Sequence, residues 1–169
     1  MSVRCFPTTN NNHSNFVVLS LGSNLGDREY YLDYAIRHLP VTVHSKSDII
    51  GTEPILKSSA DPNWYNLYFL NMVVVGDTCL SVLELLSIIW RIEERCGRKK
   101  KDRGLWLPRT IDIDILFWND SIIKTREITV PHSEILNRPF LLSLLAQTIP
   151  DYIHPEVGKN MKELFRLFV

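Results

Sequence analysis

The sequence has no excess of charge of either sign. Its 19 Lys and Arg side chains balance 19 Asp and Glu side chains, so the formal net charge is zero. A protein without net charge has no long-range field to attract a nucleic-acid backbone or an anionic membrane. We therefore expect no nucleic-acid partner, and we expect any anion-binding site to be local.

Cysteines and long apolar runs are also scarce. The three cysteines, Cys5, Cys79 and Cys96, show no CxxC spacing, which argues against a disulfide framework and against a zinc site. No segment approaches the roughly 20 apolar residues that a membrane-spanning helix needs. The amino-terminal stretch lacks the apolar core of a signal peptide. We predict a cytoplasmic protein with no membrane partner.

The length of 169 residues and the hydrophobic fraction of 45% suit one domain with a sizeable core. Residues 1–15 are polar and predict a flexible tail. Residues 16–169 contain no repeat, linker or low-complexity stretch that would divide them. We predict a single domain over residues 16–169 and expect it to be a monomer.

Hydrophobic periodicity and capping residues predict the order of strands and helices. The predicted strands are residues 15–22, 41–55 (broken by Pro54), 67–77 and 109–118, followed by a hairpin at 121–130. The predicted helices are residues 27–40, 81–97 and 139–150, with a last one after Asn160. The order βαββαβ of the first six elements is typical of a ferredoxin-like α+β fold, with an antiparallel sheet and both crossover helices on one face.

Two aspartates lie two residues apart in the last long strand, in the stretch TIDIDIL. Side chains i and i+2 of a strand point the same way, so Asp112 and Asp114 share a face with Cα atoms roughly 6.5–7 Å apart, and the neighbouring isoleucines face the core. Two carboxylates this close repel each other unless one is protonated or a cation neutralises both. The pair predicts a site for two Mg²⁺ ions. The alternative is the solvated outer face of a half-exposed strand.

Basic residues precede the aspartate pair. Arg109 lies three residues before Asp112, and residues 98–103 hold two arginines and three lysines. Because no GxxxxGK[ST] motif is present to bind phosphates, we expect this loop to close on a polyphosphate, with Trp106 as an apolar anchor. The alternatives are a solvated charge run and a nucleic-acid patch.

Four separated motifs carry a resemblance to a known family: GSNLGD after the first strand, RIEERCGR in the second helix, WLPRTIDIDIL and VPHSEILNRPF. With these motifs the chain resembles the 6-hydroxymethyl-7,8-dihydropterin pyrophosphokinases of folate biosynthesis. The resemblance runs from about Phe16 to the C-terminus, in the order of the family's motifs and nearly with their spacing. The resemblance implies a ferredoxin-like three-layer α/β/α sandwich with a C-terminal helical extension. It also implies transfer of pyrophosphate from ATP to the hydroxymethyl group of the pterin, with release of AMP and with two Mg²⁺ ions as cofactors.

The resemblance also assigns site residues, each carried over from a matching motif position. The implied catalytic residues are Arg98, Arg109, Asp112 and Asp114, and the two aspartates are the implied metal ligands. The implied ATP-binding residues are Glu93, Arg98, Lys100, Trp106, Arg109, Ile115, Thr129, His132 and Arg138. The implied pterin-binding residues are Gly22, Thr52, Pro54, Ile55, Phe69, Asn71 and Phe140. Gly22, Ser23 and Asn24 match a mobile loop of the family.

Two of these side chains have a chemistry that suits a pterin. The Asn71 amide offers donors and an acceptor for the amide-and-amine edge of the ring, and Phe140 can stack on its face. The alternatives are that Asn71 caps a strand irregularity and that Phe140 belongs to the core.

The chain departs from the usual residues of the family at several positions. Leu107 stands where a small residue, often glycine, separates the tryptophan and proline of the WLPR motif. Trp90 stands where glutamine is common, Glu53 where proline is common, and Phe69 where tyrosine is common. Lys100 stands where arginine can occur, and it keeps the charge but loses the bidentate fork. These changes concern loop motion and nucleotide contacts more than the type of reaction.

Two other functions fit parts of the same pattern. A ferredoxin-like nucleic-acid-binding module would carry aromatic and basic residues on its middle strands, where this chain has Asn71 and the aspartates. Another Mg²⁺-dependent nucleotidyl or phosphoryl transferase would share the aspartate pair, and only the resemblance at Asn71 and Phe140 weighs against it. The expected partners are the small molecules ATP and 6-hydroxymethyl-7,8-dihydropterin.

Overall fold

A computed structural model describes residues 14–54, 61–102, 105 and 107–168. The strands are β1 (Asn15–Ser23), β2 (Thr42–Lys46), β3 (Ile50–Thr52), β4 (Phe69–Thr78), β5 (Asp112–Trp118), β6 (Ile123–Lys124) and β7 (Thr129–Val130). The α-helices are α1 (Arg28–His38), α2 (Val82–Arg95), α3 (Pro139–Thr148) and α4 (Met161–Arg166). Two short 3₁₀ helices span Pro62–Asn66 and Lys100–Asp102. The four predicted helices and the predicted hairpin are all confirmed.

The central sheet is antiparallel, in the order β2-β4-β1-β5, and β3 also pairs with β4. Helix α1 connects β1 to β2, and α2 connects β4 to β5, so each helix crosses over a strand that lies between its ends in the sheet. This is the connectivity of the predicted ferredoxin-like fold, which is therefore confirmed.

The second predicted strand, residues 41–55, is interrupted earlier than Pro54. It forms two segments, β2 and β3, which both pair with β4. Ser47 follows β2, and its hydroxyl oxygen accepts the backbone N–H of Val73 at 2.9 Å. A side-chain bond of this kind replaces a ladder bond between the strands. The prediction of a single strand broken at Pro54 is therefore wrong.

Two apolar cores cover the two faces of the sheet. One face packs against α1 and α2, through residues that include Leu19, Val74 and Ile89. The other face packs against α3 and α4, through residues that include Val18 and Leu145. Adjacent residues of β1 enter opposite cores because the side chains of a strand alternate. The fold is an α/β/α sandwich, as the resemblance implied.

Strand β5 lies at an edge of the sheet and carries the aspartate pair. Its register with β1 shifts so that Leu116 is the extra residue of a β-bulge. Before the bulge, Ile113 and Ile115 are buried on the α2 side. Asp112 and Asp114 consequently face the α3 side together, as the alternation predicts.

Side-chain caps begin α1, α2 and α4, as predicted. Asp27 accepts a backbone N–H in the first turn of α1. Reciprocal capping boxes, in which two side chains each accept the other's backbone N–H, begin two further helices. Ser81 and Glu84 form the box of α2, and Asn160 and Glu163 form the box of α4.

The start of β1 can be compared with the predicted boundary of the tail. Residues 1–13 lie outside the described part of the chain, but Asn15, assigned to the tail, is the first residue of β1. Its side-chain amide donates to the carbonyl oxygen of Leu80 at 2.9 Å. Asn15 therefore belongs to the sheet and not to the predicted tail. In the parts of the chain that are described, no helix is long and apolar enough to cross a membrane.

Candidate active site

Three strands bring their residues to the same end of the sheet. In the register of β1 with its neighbours, Gly22 pairs with Asn71 of β4 on one side and with Asp112 of β5 on the other. A Cβ at Gly22 would lie 2.9 Å from the side-chain oxygen of Asn71. Glycine is therefore needed here, because any larger residue would displace the amide.

A first cavity, of about 320 Å³, opens over this end of the sheet on the α3 side. Within it the Asn71 amide donates to the Thr52 hydroxyl at 2.8 Å. The Phe140 ring lines the cavity from α3, and the Arg109 guanidinium lies over the Phe69 ring, 5.6 Å from its centroid. A cavity with two aromatic rings and a few convergent polar groups can hold a flat heterocycle.

Most residues implied for pterin binding meet in this first cavity. Those that line it are Gly22, Thr52, Phe69, Asn71 and Phe140. Pro54 does not line the cavity, and Ile55 lies outside the described residues. The cavity is also lined by residues that sequence reasoning missed, namely Ser20, Glu53, Leu105 and Glu134. Ser20 carried a signal, since it lies two residues before Gly22 on the same face of β1, and so did Glu53 and Glu134, since they lie within or beside the matched motif positions.

A second cavity, of about 330 Å³, runs along the free edge of β5, between α2 and the β6–β7 hairpin. The residues implied for ATP binding that line it are Glu93, Arg98, Ile115, Thr129 and His132. Arg109 and Arg138 line the first cavity instead. Lys100 lies in the second 3₁₀ helix and lines neither cavity, and Trp106 lies outside the described residues.

The two cavities meet at the aspartate pair. Arg98, Asp112 and Asp114 line both of them. The predicted catalytic residues, including Arg109 in the first cavity, therefore lie where a ligand in one cavity would contact a ligand in the other. Group transfer between two bound molecules requires this arrangement.

Two arginines contact Asp112, the first aspartate of the pair. Arg98 donates to Oδ1 of Asp112, and the Arg109 guanidinium forms an ion pair with Oδ2 of Asp112 at 3.0 Å. Arg98 also donates to Glu93, whose carboxylate accepts the backbone N–H of Ile113 at 3.1 Å. Glu93 therefore ties α2 to β5 and fixes the guanidinium of Arg98 beside Asp112.

Glu93 is almost completely buried, with 2% of its surface exposed. Burial raises the pKa of its carboxyl group to about 7, although the charge of Arg98 opposes the rise. Its carboxylate contacts the Arg98 guanidinium and the Ile113 N–H.

The Asp114 carboxylate has fewer ion-pair partners among the described residues than the Asp112 carboxylate. In the described part of the chain, the ion-pair partner of Asp114 is the His132 ring, with Nε2 at 4.0 Å, a contact that is charged only when the ring is protonated. Enclosure by the cleft raises the pKa of the Asp114 carboxyl group to about 6, and the nearby Asp112 carboxylate raises it further. The site therefore has unneutralised negative charge where the two cavities meet.

The aspartate pair fits a hard divalent cation. Among the described residues, no group of three or more His, Cys, Asp or Glu side chains could enclose a metal ion. Mg²⁺ often binds through one or two carboxylates and completes its coordination with water and substrate phosphates. Asp112 and Asp114 supply such a partial ligand set, and the second cavity leaves room for phosphates beside it.

Asn24 ties three loops together beneath the site. Its backbone N–H donates to the carbonyl oxygen of Arg109 at 3.1 Å, and its side-chain oxygen accepts the N–H of Arg109 at 2.7 Å. Its side-chain nitrogen donates to the carbonyl oxygen of Leu67 at 3.2 Å. Asn24 is 4% exposed. The loop after β1 therefore holds the segment that carries Arg109 and the segment that enters β4.

We expect Asn24→Ala to destabilise the fold by about 2 kcal/mol, because it leaves the Arg109 N–H and the Leu67 carbonyl group buried without their partners. Asn24→Asp keeps the acceptor for Arg109, but it turns a buried carboxylate oxygen towards the Leu67 carbonyl oxygen, so it should also destabilise the fold while it preserves the Arg109 contact. Urea unfolding measures both costs. Amide hydrogen exchange at Arg109 should accelerate in the alanine variant and much less in the aspartate variant. Equal exchange in the two variants would contradict this role of Asn24.

Comparison with known proteins identifies related chains over most of the sequence. The family model described as 7,8-dihydro-6-hydroxymethylpterin-pyrophosphokinase matches residues 18–150. A 2-amino-4-hydroxy-6-hydroxymethyldihydropteridine pyrophosphokinase of Aquifex aeolicus is 40% identical over 147 residues, which cover 87% of this chain and 88% of that protein. The enzyme of the same name from Bacillus subtilis is 39% identical over 138 residues, covering 79% of this chain and 78% of that protein.

Other relatives are much longer proteins. The folate synthesis bifunctional protein of Chlamydia caviae is 38% identical over 148 residues, covering 86% of this chain but 33% of that protein. The chain thus spans about a third of the length of this relative and of its Chlamydia trachomatis counterpart, of which it covers 31%.

Solved structures share the fold. The Plasmodium falciparum HPPK-DHPS structure with pteroate superposes with a TM-score of 0.71 at 20% identity, covering 96% of this chain and 44% of that one. The resemblance that the four motifs predicted is confirmed by these matches. The chain belongs to the 7,8-dihydro-6-hydroxymethylpterin-pyrophosphokinase family.

Proposed function

We propose that this chain transfers pyrophosphate from ATP to the hydroxymethyl group of 6-hydroxymethyl-7,8-dihydropterin and releases AMP, as a step of folate biosynthesis. One observation carries the proposal: two cavities of similar volume meet at Asp112 and Asp114. Membership of the family supports it. The first cavity would hold the pterin and the second would hold ATP.

The first cavity suits a pterin. Phe69 and Phe140 offer apolar ring surfaces for stacking. The Asn71 amide, already donating to Thr52, keeps its side-chain oxygen and its second N–H for the polar edge of the ring. In this orientation the hydroxymethyl group would point towards the aspartate pair, where transfer takes place.

The second cavity suits a nucleoside triphosphate. Glu93 accepts the backbone N–H of Ile113, so this N–H points away from β1 and towards α2. Backbone N–H groups two residues apart in an antiparallel strand point the same way. The Ile115 N–H is therefore directed towards the cavity. The base would then lie near Ile115, and the triphosphate would extend towards Arg98, His132 and the aspartates.

We propose that Asp112 and Asp114 hold two Mg²⁺ ions together with the triphosphate. When bound, these ions would neutralise the phosphate oxygens and lower the pKa of the attacking alcohol. Positioning and charge stabilisation supply most of the catalysis in phosphoryl transfer. A side chain acting as general base is accordingly not required.

Arg98 and Arg109 are the side chains that we assign to the phosphates. Both guanidinium groups are bound to Asp112 in the structure. A triphosphate entering the second cavity offers oxygens that can take over these ion pairs, and bidentate arginine contacts to phosphate are strong. The exchange would free the Asp112 oxygens for the cation while both arginines keep an anionic partner.

The alternatives receive less support from the structure. A nucleic-acid-binding module would need an open sheet face, but α3 and α4 cover the face that carries Val18 and Val73. Another Mg²⁺-dependent transferase would have no use for a cavity that combines Asn71, Thr52 and two aromatic rings. We propose that ATP and the pterin are the partners of a cytoplasmic monomer, and light scattering on the purified chain tests the monomer.

The decisive experiment mixes the purified protein with ATP, Mg²⁺ and 6-hydroxymethyl-7,8-dihydropterin and separates the nucleotides by chromatography. We expect AMP, formed in equal amount with the pterin pyrophosphate, and no AMP when the pterin or Mg²⁺ is omitted or EDTA is added. Formation of ADP would identify an ordinary kinase. An absence of pterin-dependent turnover would refute the proposed function.

A further inference from the structure

The second cavity has a charged end and an apolar end. The charged end is formed by Arg98, Asp112, Asp114 and His132, where the cavity joins the first one. The apolar end is formed by Leu86, Trp90, Ile115 and Ile128. A nucleotide has the same division, because its phosphates are charged and its base is a flat ring. Polar residues of the β6–β7 hairpin, among them Thr125, Arg126 and Glu127, also line the cavity. The apolar end offers the surface that suits the base.

Trp90 is directed to this cavity by its position on α2. Leu86, Trp90 and Glu93 are separated by four and three residues, so they lie on one side of the helix. Leu85 and Ile89 of the same helix are fully buried in the core. The Leu86–Trp90–Glu93 side borders the free edge of β5, where Glu93 reaches the Ile113 N–H. The partly buried indole therefore lines the cavity one helical turn from Glu93.

We propose that the Trp90 indole is the stacking surface for the purine base of the nucleotide. This inference rests on the proposed function, which assigns the second cavity to ATP. An indole offers the largest aromatic face of any side chain, and stacking on a base does not depend on which polar groups the base carries. Trp90 thus fixes the position of the base and contributes affinity without reading its edge.

The proposal predicts a loss of affinity that depends on the base. Trp90→Leu keeps an apolar side chain but removes the aromatic face, so ATP should bind about 10-fold more weakly. Trp90→Phe keeps an aromatic face and should bind ATP within about threefold of the wild type. GTP should lose as much affinity as ATP in Trp90→Leu, because both bases stack. Inorganic tripolyphosphate, which has no base, should bind all variants equally.

Isothermal titration of the full chain with the Mg²⁺ complexes of ATP, GTP and tripolyphosphate tests the proposal. Leu83→Ala is the matched control, because Leu83 is exposed on α2 and does not line the cavity. Melting temperatures establish that each variant is folded. A parallel loss of tripolyphosphate affinity, an unchanged or tighter binding of ATP by Trp90→Leu, or a loss confined to ATP would overturn the stacking role.

These titrations separate the base site from the pyrophosphokinase activity. Base-dependent loss in Trp90→Leu, together with no pterin-dependent release of AMP by the wild type, would retain the base site and refute the proposed function. AMP release by the wild type without a base-dependent loss in Trp90→Leu would support the proposed function and refute the base site. A wild-type chain that binds no ATP would overturn both.

Discussion

Replacing Asp114 by asparagine is expected to lower pyrophosphoryl transfer by about 1000-fold and, at the same time, to stabilise the metal-free protein. The loss of activity follows from removing one of two carboxylates at the junction of the cavities, since one lost electrostatic contact to a transition state costs about 100-fold to 1000-fold. The gain in stability follows from removing a carboxylate that is desolvated in the cleft and, in addition, repelled by Asp112.

The pKa of Asp114 sets the size and the pH range of this gain. A rise from the ordinary value of 3.8 to about 6 corresponds to about 3 kcal/mol, and because 41% of the side chain is exposed, solvent screening reduces this to about 1 kcal/mol. The folded state prefers the neutral acid, so wild-type stability falls as the pH rises from about 4 to about 6. The asparagine variant lacks this fall, and its advantage should be full above pH 6.

Thermal unfolding in EDTA at pH 5 and pH 8 measures the gain, which should reach about 3 °C at the higher pH. The AMP-release assay measures the loss of activity. Asp120→Asn is the matched control, because it makes the same isosteric change at an exposed carboxyl group that follows β5. Retained activity, or a melting temperature below that of the wild type at pH 8, would contradict the role assigned to Asp114.

The second large effect is expected for Arg98→Ala, which should destabilise the protein by about 3 kcal/mol and lower its activity by at least about 100-fold. The Arg98 side chain is 9% exposed and lies between Glu93, at 3%, and Asp112, at 22%. Removing it leaves buried carboxylates without their shared counter-ion. The activity falls because the phosphates lose a guanidinium and Asp112 loses the contact that orients it.

The pH dependence of Arg98→Ala identifies the group that is left unpaired. The pKa of Glu93 is raised to about 7 even beside Arg98, so Glu93 takes up a proton readily when the pH falls. Its protonation removes part of the penalty, so the destabilisation should be larger at pH 8 than at pH 5.5. Adding Glu93→Gln should recover part of the stability but not the activity.

Urea unfolding at the two pH values measures these differences. Arg95→Ala is the control, because Arg95 is an exposed arginine in the last turn of α2 and its loss removes the same charge. A destabilisation that is independent of pH would show that Glu93 does not depend on Arg98. A cost equal to that of Arg95→Ala would show that the buried ion pairs contribute little.

Features that depend on residues two to four positions apart were predicted correctly from the sequence. Asp112 and Asp114 share a face because strand side chains alternate, and the capping boxes of α2 and α4 form because each joins residues three apart. The family was also predictable, since four motifs in a fixed order rarely coincide by chance. Each of these predictions needs only the order of residues along the chain.

The break of the second strand was not predictable in this way. Ser47 interrupts it by accepting the N–H of Val73, a residue that lies 26 positions away. Local propensity contains no information about which distant backbone group will meet a serine hydroxyl. The bulge at Leu116 has the same origin, because it depends on the register between β1 and β5.

The sequence by itself therefore determined the strand and helix order, the shared face of the aspartates and the family. The tertiary structure decided what these residues form together. The register places Gly22 between Asn71 and Asp112, and the packing of α2 against β5 sets Arg98 between Glu93 and Asp112. Two cavities meeting at one pair of carboxylates arise only when strands distant in the chain pair and two helical layers enclose them, because long-range contacts fix the relative positions of residues that no local pattern connects.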